Sequence, residues 1–524
     1  MMYKSYLFLW LSFFSISLGS KHPNVLILMA DDMGYSDLGC FGGEINTPHL
    51  DSLAKGGVRF SNFYSENMCW VSRASMLTGV YHRTSLQNSA LHPNCLTLAE
   101  ALKQNGYKTG MMGKWHLAGK YTLNNGKEAV YPDERGFDYF YGILGGANSF
   151  FAPFGLKRNR TPIDHEFIND QNYYFTDAIG KEAISFLKNT GKEKPFFLYL
   201  PFTAAHWPLH APEEEIQKYQ GKFSKGWDEL RKERLNRMKK LGVIDPSVKL
   251  SPRHSKVPAW KDEKNRAWQE RRMEVYAAQV TIMDRAIGQV IKHLKSTGQL
   301  ENTLILFTID NGGCHVEYGS DRKGDYLPEK TRDGKKMKPG NLTNIMPGPE
   351  ITYQSYGYGW ANLSNTPHRL FKQYDHEGGI HTPMIAHWPK GIKRKGTVSK
   401  TLSHLVDLMP TILEATGIKP AEKSGGRKRI AWDGRSILPS LQGKKQTEPT
   451  ILFFNHARGK AVRMGQWKLV FNKDEKKNAK WELYNLNNDP NELKDLAKTL
   501  PNKVEELSKL WHIREKNQLE RAKL

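Results

Sequence analysis

Two stretches constrain this chain before anything else does: NVLILMADD at 24–32 and NTLILFTIDNGG at 302–313. Each is a continuous apolar run that ends abruptly in carboxylates. A strand with one wet face alternates apolar and polar residues, so unbroken runs read as strands buried on both faces of a parallel sheet. Ligands of open α/β sheets gather at the C-terminal ends of such strands, which is where Asp31, Asp32, Asp310 and Asn311 fall. An Asp pair after one strand is often only a turn or a helix cap. Three carboxylates and one amide on a single sheet edge repel one another, and a divalent cation resolves the conflict. An all-oxygen set suits calcium or magnesium rather than zinc.

The rest of the chain alternates in the same way. A helical pattern begins at Pro48, a strand runs from about Val58 to Tyr64, and helices follow from about Ser72 and from Thr97 to Asn105. Further strands lie in GYKTGMMG and in PFFLYLPF at 195–202, and a long helical pattern runs from about Trp268 to Ser296. This is the texture of an α/β fold with a large doubly wound mixed sheet flanked by helices. Beyond about residue 425 come short alternating segments, TILFFNHA, KAVRMGQWKLVFN and KWELYNLNNDP, then an amphipathic helix from Asn502. They predict a smaller C-terminal antiparallel sheet with a helix. Long insertions near 147–175, 207–265 and 318–360 are of the kind that shape a binding site. The densest basic run, RKERLNRMKK at 231–240, reads as a solvated helix face.

The N-terminus carries one Lys at position 4, an apolar run from Tyr6 to Leu18 and small residues at Ser17, Gly19 and Ser20. That pattern reads as a cleaved secretory signal over residues 1–20, too short for a membrane span. The expectation is an exported protein, periplasmic or secreted, with no stable membrane insertion. Four cysteines in 524 residues (40, 69, 95 and 314) do not make a disulfide scaffold. The formal charge of +23 suits an anionic partner. Nucleic-acid motifs are missing, and export argues against that partner, so a sulfated or acidic extracellular polymer fits better, beside the plainer reading of a basic surface with no specific partner.

ENMCWVSRASMLTG, residues 66–79, resembles the active-site signature of the formylglycine-dependent sulfatase family, Cys-x-Pro-x-Arg followed by small residues, apolar residues and Thr-Gly. GYKTGMMGKWH at 106–116 resembles the second signature, AHWPLHAP at 205–212 the histidine loop, and FKQYDHEGG at 371–379 the Lys-x4-Glu-Gly-Gly segment. Asp31 and Asp32, with the Asp310-Asn311-Gly312 motif, match the family's metal residues. The likeness runs through nearly the whole chain to LYNLNNDPNELKDLA, places it in the alkaline phosphatase superfamily, and is nearest the arylsulfatase branch common in bacteria. It divides the chain into a signal (1–20), a catalytic α/β domain (21–424) and a C-terminal α+β subdomain (425–524).

The resemblance implies hydrolysis of sulfate esters, aryl sulfates in the test tube and sulfated carbohydrates in nature. Cys69 would be oxidised to formylglycine by a formylglycine-generating maturation enzyme and hydrated to a diol on one divalent cation, with calcium favoured over magnesium. Asp31, Asp32, Asp310, Asn311 and the modified Cys69 would hold the metal. Arg73 would hold the diol oxygen, and Lys114 and Lys372 would balance the sulfate and metal-bound oxygens. His116 would take the proton from the second hydroxyl, and His206, with Lys372, would protonate the leaving alcohol. His210, His315, His376 and His381 are candidate pocket residues; Cys40, Cys95 and Cys314 are structural by default, with Cys314 close enough to the metal motif to line the site. Val71 stands where the family motif has Pro, and Trp70 where it usually has a small residue. Val is itself β-branched and favours extended backbone, so conversion remains the expectation. Two other readings are an inactive binder of sulfated glycans and a phosphate or phosphonate ester hydrolase of the same superfamily.

Overall fold

The computed structural model describes residues 22–119, 129–322, 327–420, 422–424, 427–444, 450–456, 459–472 and 479–524. The signal-like segment at 1–20 lies outside them. The first apolar run forms the strand Asn24–Ala30 at the centre of the main sheet, between Thr303–Ile309 and Phe196–Pro201, both parallel to it. Lys108–Lys114 and Tyr139–Ile143 continue in parallel on one side. On the other side His381–His387 runs antiparallel to Thr303–Ile309, and Val58–Tyr64 runs antiparallel to it in turn. The sheet is therefore mixed.

Period-two alternation divides the central run between two cores. Leu26, Leu28 and Ala30 join a cluster that holds Ile179, Ala183 and Leu187 of the helix Phe175–Thr190 and Ala277, Val280 and Ile287 of the helix Arg266–Ser296. Val25, Ile27 and Met29 face the opposite cluster, with Ala74 and Leu77 of Cys69–Thr78 and Leu408 and Ile412 of Leu408–Thr416. All seven residues of the central strand are buried, which is why its sequence shows no polar alternation.

The C-terminal sheet, Ile451–Phe454, Gly459–Met464, Trp467–Asn472 and Trp481–Asn485, is antiparallel throughout. One face packs Leu452, Phe454, Ala461, Val470 and Tyr484 on Tyr64 and Ile380 of the main domain. The other face packs Val462, Leu469 and Leu483 on Leu507 and Trp511 of the terminal helix Pro501–Arg521.

The basic run lies on the helix Gly226–Lys240 but is not simply solvated. Arg231 and Arg234 are buried: the Arg234 guanidinium donates to Glu44 at 2.6 Å and to Asp37 at 2.7 Å, while Arg231 donates to Ser251. Two of its charges thus hold loops, and Lys232 and Lys240 are exposed. Among the described residues no helix is long and apolar enough to cross a membrane.

Candidate active site

The site lies where the central strands end. The Asp31 N–H donates to the Ala204 carbonyl at 2.8 Å, which ties the end of the first strand to the loop carrying His206. Asp32 takes a left-handed backbone, φ 60°, as does His116 at 57°. Such conformations cost about 1–3 kcal/mol each in ordinary residues and collect at functional sites. Gly312 lets the Asp310-Asn311 loop meet the turn before His381–His387: a side chain there would lie 1.9 Å from the Gly378 carbonyl oxygen. The Gly312 N–H donates to Gly379 at 2.9 Å across the same contact.

Cys69 is the first residue of the helix Cys69–Thr78, three positions earlier than the pattern suggested. It therefore sits at the positive end of the helix dipole, and Arg73 follows one turn later. The Lys372 ammonium donates to Cys69 Sγ at 3.1 Å and to both Asp32 oxygens at 2.6 and 2.9 Å. Lys114 pairs with Asp31 Oδ2 at 2.6 Å, and Arg73 pairs with Asp310 Oδ2 at 2.7 Å, with Asp31 further off at 3.7 Å. The Asn311 amide donates to Asp32 Oδ1 at 2.7 Å, and His206 Nε2 lies 3.3 Å from Asp32 Oδ2. Asp31, Asp32, Arg73, Lys114, Asp310 and Asn311 are at most 1% exposed.

Each carboxylate thus already has a basic partner, so the repulsion expected from the sequence is met by Arg73, Lys114 and Lys372 without an ion. The case for a cation rests on other observations. Asp31 Oδ1 and Asn311 Oδ1 are buried and have no hydrogen-bond partner among the described residues, an arrangement that costs about 1–3 kcal/mol per group unless something else binds them. Asp31, Asp32, Cys69 and His206 each offer a ligand atom within 4.8 Å of the others. That group contains His206, which the sequence reading placed with the proton-transfer residues. It omits Asp310, whose two oxygens accept from Arg73 and from the Asp32 N–H at 3.2 Å. The donor set is rich in hard oxygens and fits a divalent cation of the calcium or magnesium type.

Burial followed by Asp310 pushes Asp31 up to about 7. For Asp32 the burial effect is overcome by Lys372, His206 and Lys114, which hold its carboxyl far below the usual range. Burial drives the Cys69 thiol up to about 12 against the pull of Lys114 and Lys372. It also drives His116 and His206 well below the ordinary imidazole value. His206 Nδ1 lies 2.7 Å from the Trp207 carbonyl, which only accepts, so Nδ1 carries a proton and Nε2 is where a second comes and goes. His116 stands edge-on to Trp70 with ring centroids 5.5 Å apart, and its Nδ1 has no partner among the described residues.

The candidate pocket histidines take different places. His210 is fully buried between the Thr352 carbonyl and Ser149 Oγ. His376 pairs with Glu482, and His381 bridges the Ser61 carbonyl and Glu377. These three are structural links. His315 packs against Phe371, the neighbour of Lys372, with ring centroids 5.1 Å apart. All four cysteines are free thiols, and Cys314 is buried close enough to Asp32 and Lys372 to feel both charges. Sequence reading missed Asn67, whose amide donates to Asp375 at 2.6 Å and to the His456 carbonyl at 3.2 Å. It joins the Cys69 loop, the Lys372 loop and the C-terminal subdomain; an Asn two residues before a motif carries no such signal by itself.

Three carboxylates, an amide and a buried cysteine thus meet two lysines and an arginine at the ends of the central strands. The sequence matches the Sulfatase family model over residues 23–418, and the model for the N-sulphoglucosamine sulphohydrolase C-terminal region over 367–519. It is 35% identical to an uncharacterized sulfatase of Schizosaccharomyces pombe, covering 95% of this chain and 94% of that one. It is 33% identical to an arylsulfatase of Klebsiella aerogenes, over 78% of this chain and 90% of the relative. Among solved structures, Ps i-CgsB in complex with k-i-k-neocarrahexaose superposes with a TM-score of 0.65 at 25% identity, covering 94% of this chain and 93% of that chain. The chain belongs to the sulfatase family, whose members are sulfuric ester hydrolases.

Proposed function

We propose that the protein hydrolyses sulfate esters of carbohydrates, and aryl sulfates as simple analogues, after export from the cytoplasm and oxidation of Cys69 to formylglycine. The observation that carries this reading is the meeting of Cys69 Sγ, the Lys372 ammonium and Asp32 at one helix N-terminus. A divalent cation held by Asp31, Asp32, Asn311 and Asp310, calcium by preference, would neutralise charge there, and formylglycine would supply the attacking hydroxyl.

The chain's own side chains account for the rest. Lys114 and Lys372, both buried, place positive charge where a tetrahedral sulfate must sit, and low surrounding polarity strengthens each contact. Arg73, locked on Asp310, anchors the base of the Cys69 helix. His206 Nε2, with its other nitrogen committed to the Trp207 carbonyl, is placed to give a proton to the departing alcohol. His116, edge-on to Trp70, would accept one. The sugar assignment is supported by the +23 charge and by the oligosaccharide held in the similar Ps i-CgsB structure.

Peptide mass spectrometry on protein from its own host, paired with turnover of an aryl sulfate and an aryl phosphate, tests the reading. The expected result is a Cys69 peptide carrying an aldehyde in place of the thiol, with sulfate turned over faster than phosphate. Wholly unmodified Cys69 would leave a binding protein, and a faster phosphate reaction would move the assignment to phosphate esters.

A further inference from the structure

The insertion at 318–360 brings an arginine to the mouth of the site. Tyr318 and Tyr353, both nearly fully buried, pack with ring centroids 5.1 Å apart, and half-buried Trp207 lies 5.1 Å from Tyr318 and 5.9 Å from Tyr353. Trp207 also lies against His206, with ring centroids 4.3 Å apart. Arg322 closes this aromatic cluster from the solvent side: its guanidinium carbon sits 5.0 Å from the Trp207 ring centroid and 4.8 Å from that of Tyr318.

Nearby arginines are neutralised. Arg271 pairs with Glu213, Arg272 with Glu317 and Arg332 with Glu350. Arg322 is exposed and forms no ion pair among the described residues. The ring contacts fix the position of its guanidinium without cancelling its charge, and a planar guanidinium fixed in advance loses little freedom when it binds an oxyanion. Contacts run from Asp32 through His206 to Trp207 and Arg322, so if His206 protonates the leaving alcohol as proposed above, Arg322 lies on the side of that alcohol.

We propose that Arg322 is a specificity-determining residue that binds a second oxyanion, a sulfate or a carboxylate, on the saccharide beyond the scissile ester. Trp207 and Tyr318 hold the guanidinium in place for that contact. The preferred substrate is then a saccharide carrying at least two negative groups. This rests on the sulfate-ester reading above, because that reading sets which end of the substrate faces Arg322.

The test compares the wild-type enzyme with Arg322→Gln and Arg322→Lys on an aryl sulfate, a monosulfated disaccharide, and two derivatives of that disaccharide bearing either a second sulfate or a carboxylate. Arg322→Gln is expected to lower kcat/KM about 10- to 100-fold on a doubly anionic disaccharide, mainly through KM, the range for one charged hydrogen-bonding group. Arg322→Lys should recover part of that loss, and the aryl sulfate and monosulfated disaccharide should be unaffected. The derivative that responds identifies the oxyanion. An equal loss on the aryl sulfate, or no loss on either doubly anionic sugar, would overturn the proposal. Calorimetric binding of the same sugars separates it from the hydrolase reading. Binding lost in Arg322→Gln, in a chain that releases no sulfate, keeps Arg322 and rejects hydrolysis; binding unchanged in the variant rejects Arg322.

Discussion

Burial changes what an ordinary residue does in this protein, and His404 gives a measurable case. Its imidazole is fully buried between Tyr81 and Phe454, and its ring nitrogen accepts the Val406 N–H at 3.2 Å to cap the short helix Leu405–Asp407. Burial lowers its pKa from 6.5 to about 4, against a smaller upward pull from Glu66. The unfolded chain then binds a proton at His404 below about pH 6.5 while the folded chain stays neutral to about pH 4, so acidification through that window removes stability. The full contribution is about 3 kcal/mol. In His404→Asn, which keeps a capping side chain, this pH-dependent part should vanish. Denaturant titrations of both proteins from neutral to acidic pH check this: the stability gap should narrow with acid, and a constant gap would contradict the assignment.

At the scale of elements, the helix Gly226–Lys240 shows how one basic sequence serves two purposes. Arg234 is buried against Asp37, whose other oxygen accepts from the Gly34 N–H at 2.8 Å and the Tyr276 hydroxyl at 2.7 Å. This fixes the loop that follows Asp31 and Asp32. Arg234→Ala leaves Asp37 buried without its counter-charge and is expected to cost about 3–5 kcal/mol. Lys240→Ala, at an exposed position six residues on, is expected to stay within about 0.5 kcal/mol and to leave aryl sulfate turnover unchanged. Urea unfolding of the two variants decides it, and equal effects would mean that the helix is held by something other than Arg234.

At the scale of the whole molecule, a buried charge network joins the main domain to the C-terminal sheet. Lys468 pairs with Glu377 at 2.7 Å and with Glu492 at 2.8 Å, and the Tyr64 hydroxyl donates to Glu377 at 2.6 Å. Glu377 lies five residues after Lys372, so the subdomain helps to hold the loop that reaches Cys69. Lys468→Met would take the shared lysine from two buried carboxylates, leaving Glu377 with His381 and the Tyr64 hydroxyl, and is expected to cost about 3–5 kcal/mol. Thermal unfolding and aryl sulfate kinetics on the same preparation should show a lower Tm together with reduced kcat. A variant as stable and as active as the wild type would show the network to be dispensable.

Periodicity made the central strands legible, because a strand buried on both faces excludes polar residues along its whole length; the same run announced the carboxylates at its end. The strand HTPMIAH at 381–387 was not legible: its Pro and two His look like loop, and it is a strand because Thr303–Ile309 and Val58–Tyr64 pair with it from both sides. The acids could be singled out by their place at the strand ends, whereas Cys69, Arg73, Lys114, His116, His206 and Lys372 stood out through the resemblance to the family's motifs. Which base neutralises which acid could not, since those pairs join residues from 83 to 340 positions apart. Sequence alone determined the buried central strands, the smaller C-terminal sheet and the family, because these depend on local pattern. Only the tertiary structure decided that Arg234 is a buried clamp, that His210, His376 and His381 are links, and that Arg322 stands beside Trp207 with no ion pair among the described residues, because burial and pairing are properties of what the fold brings together.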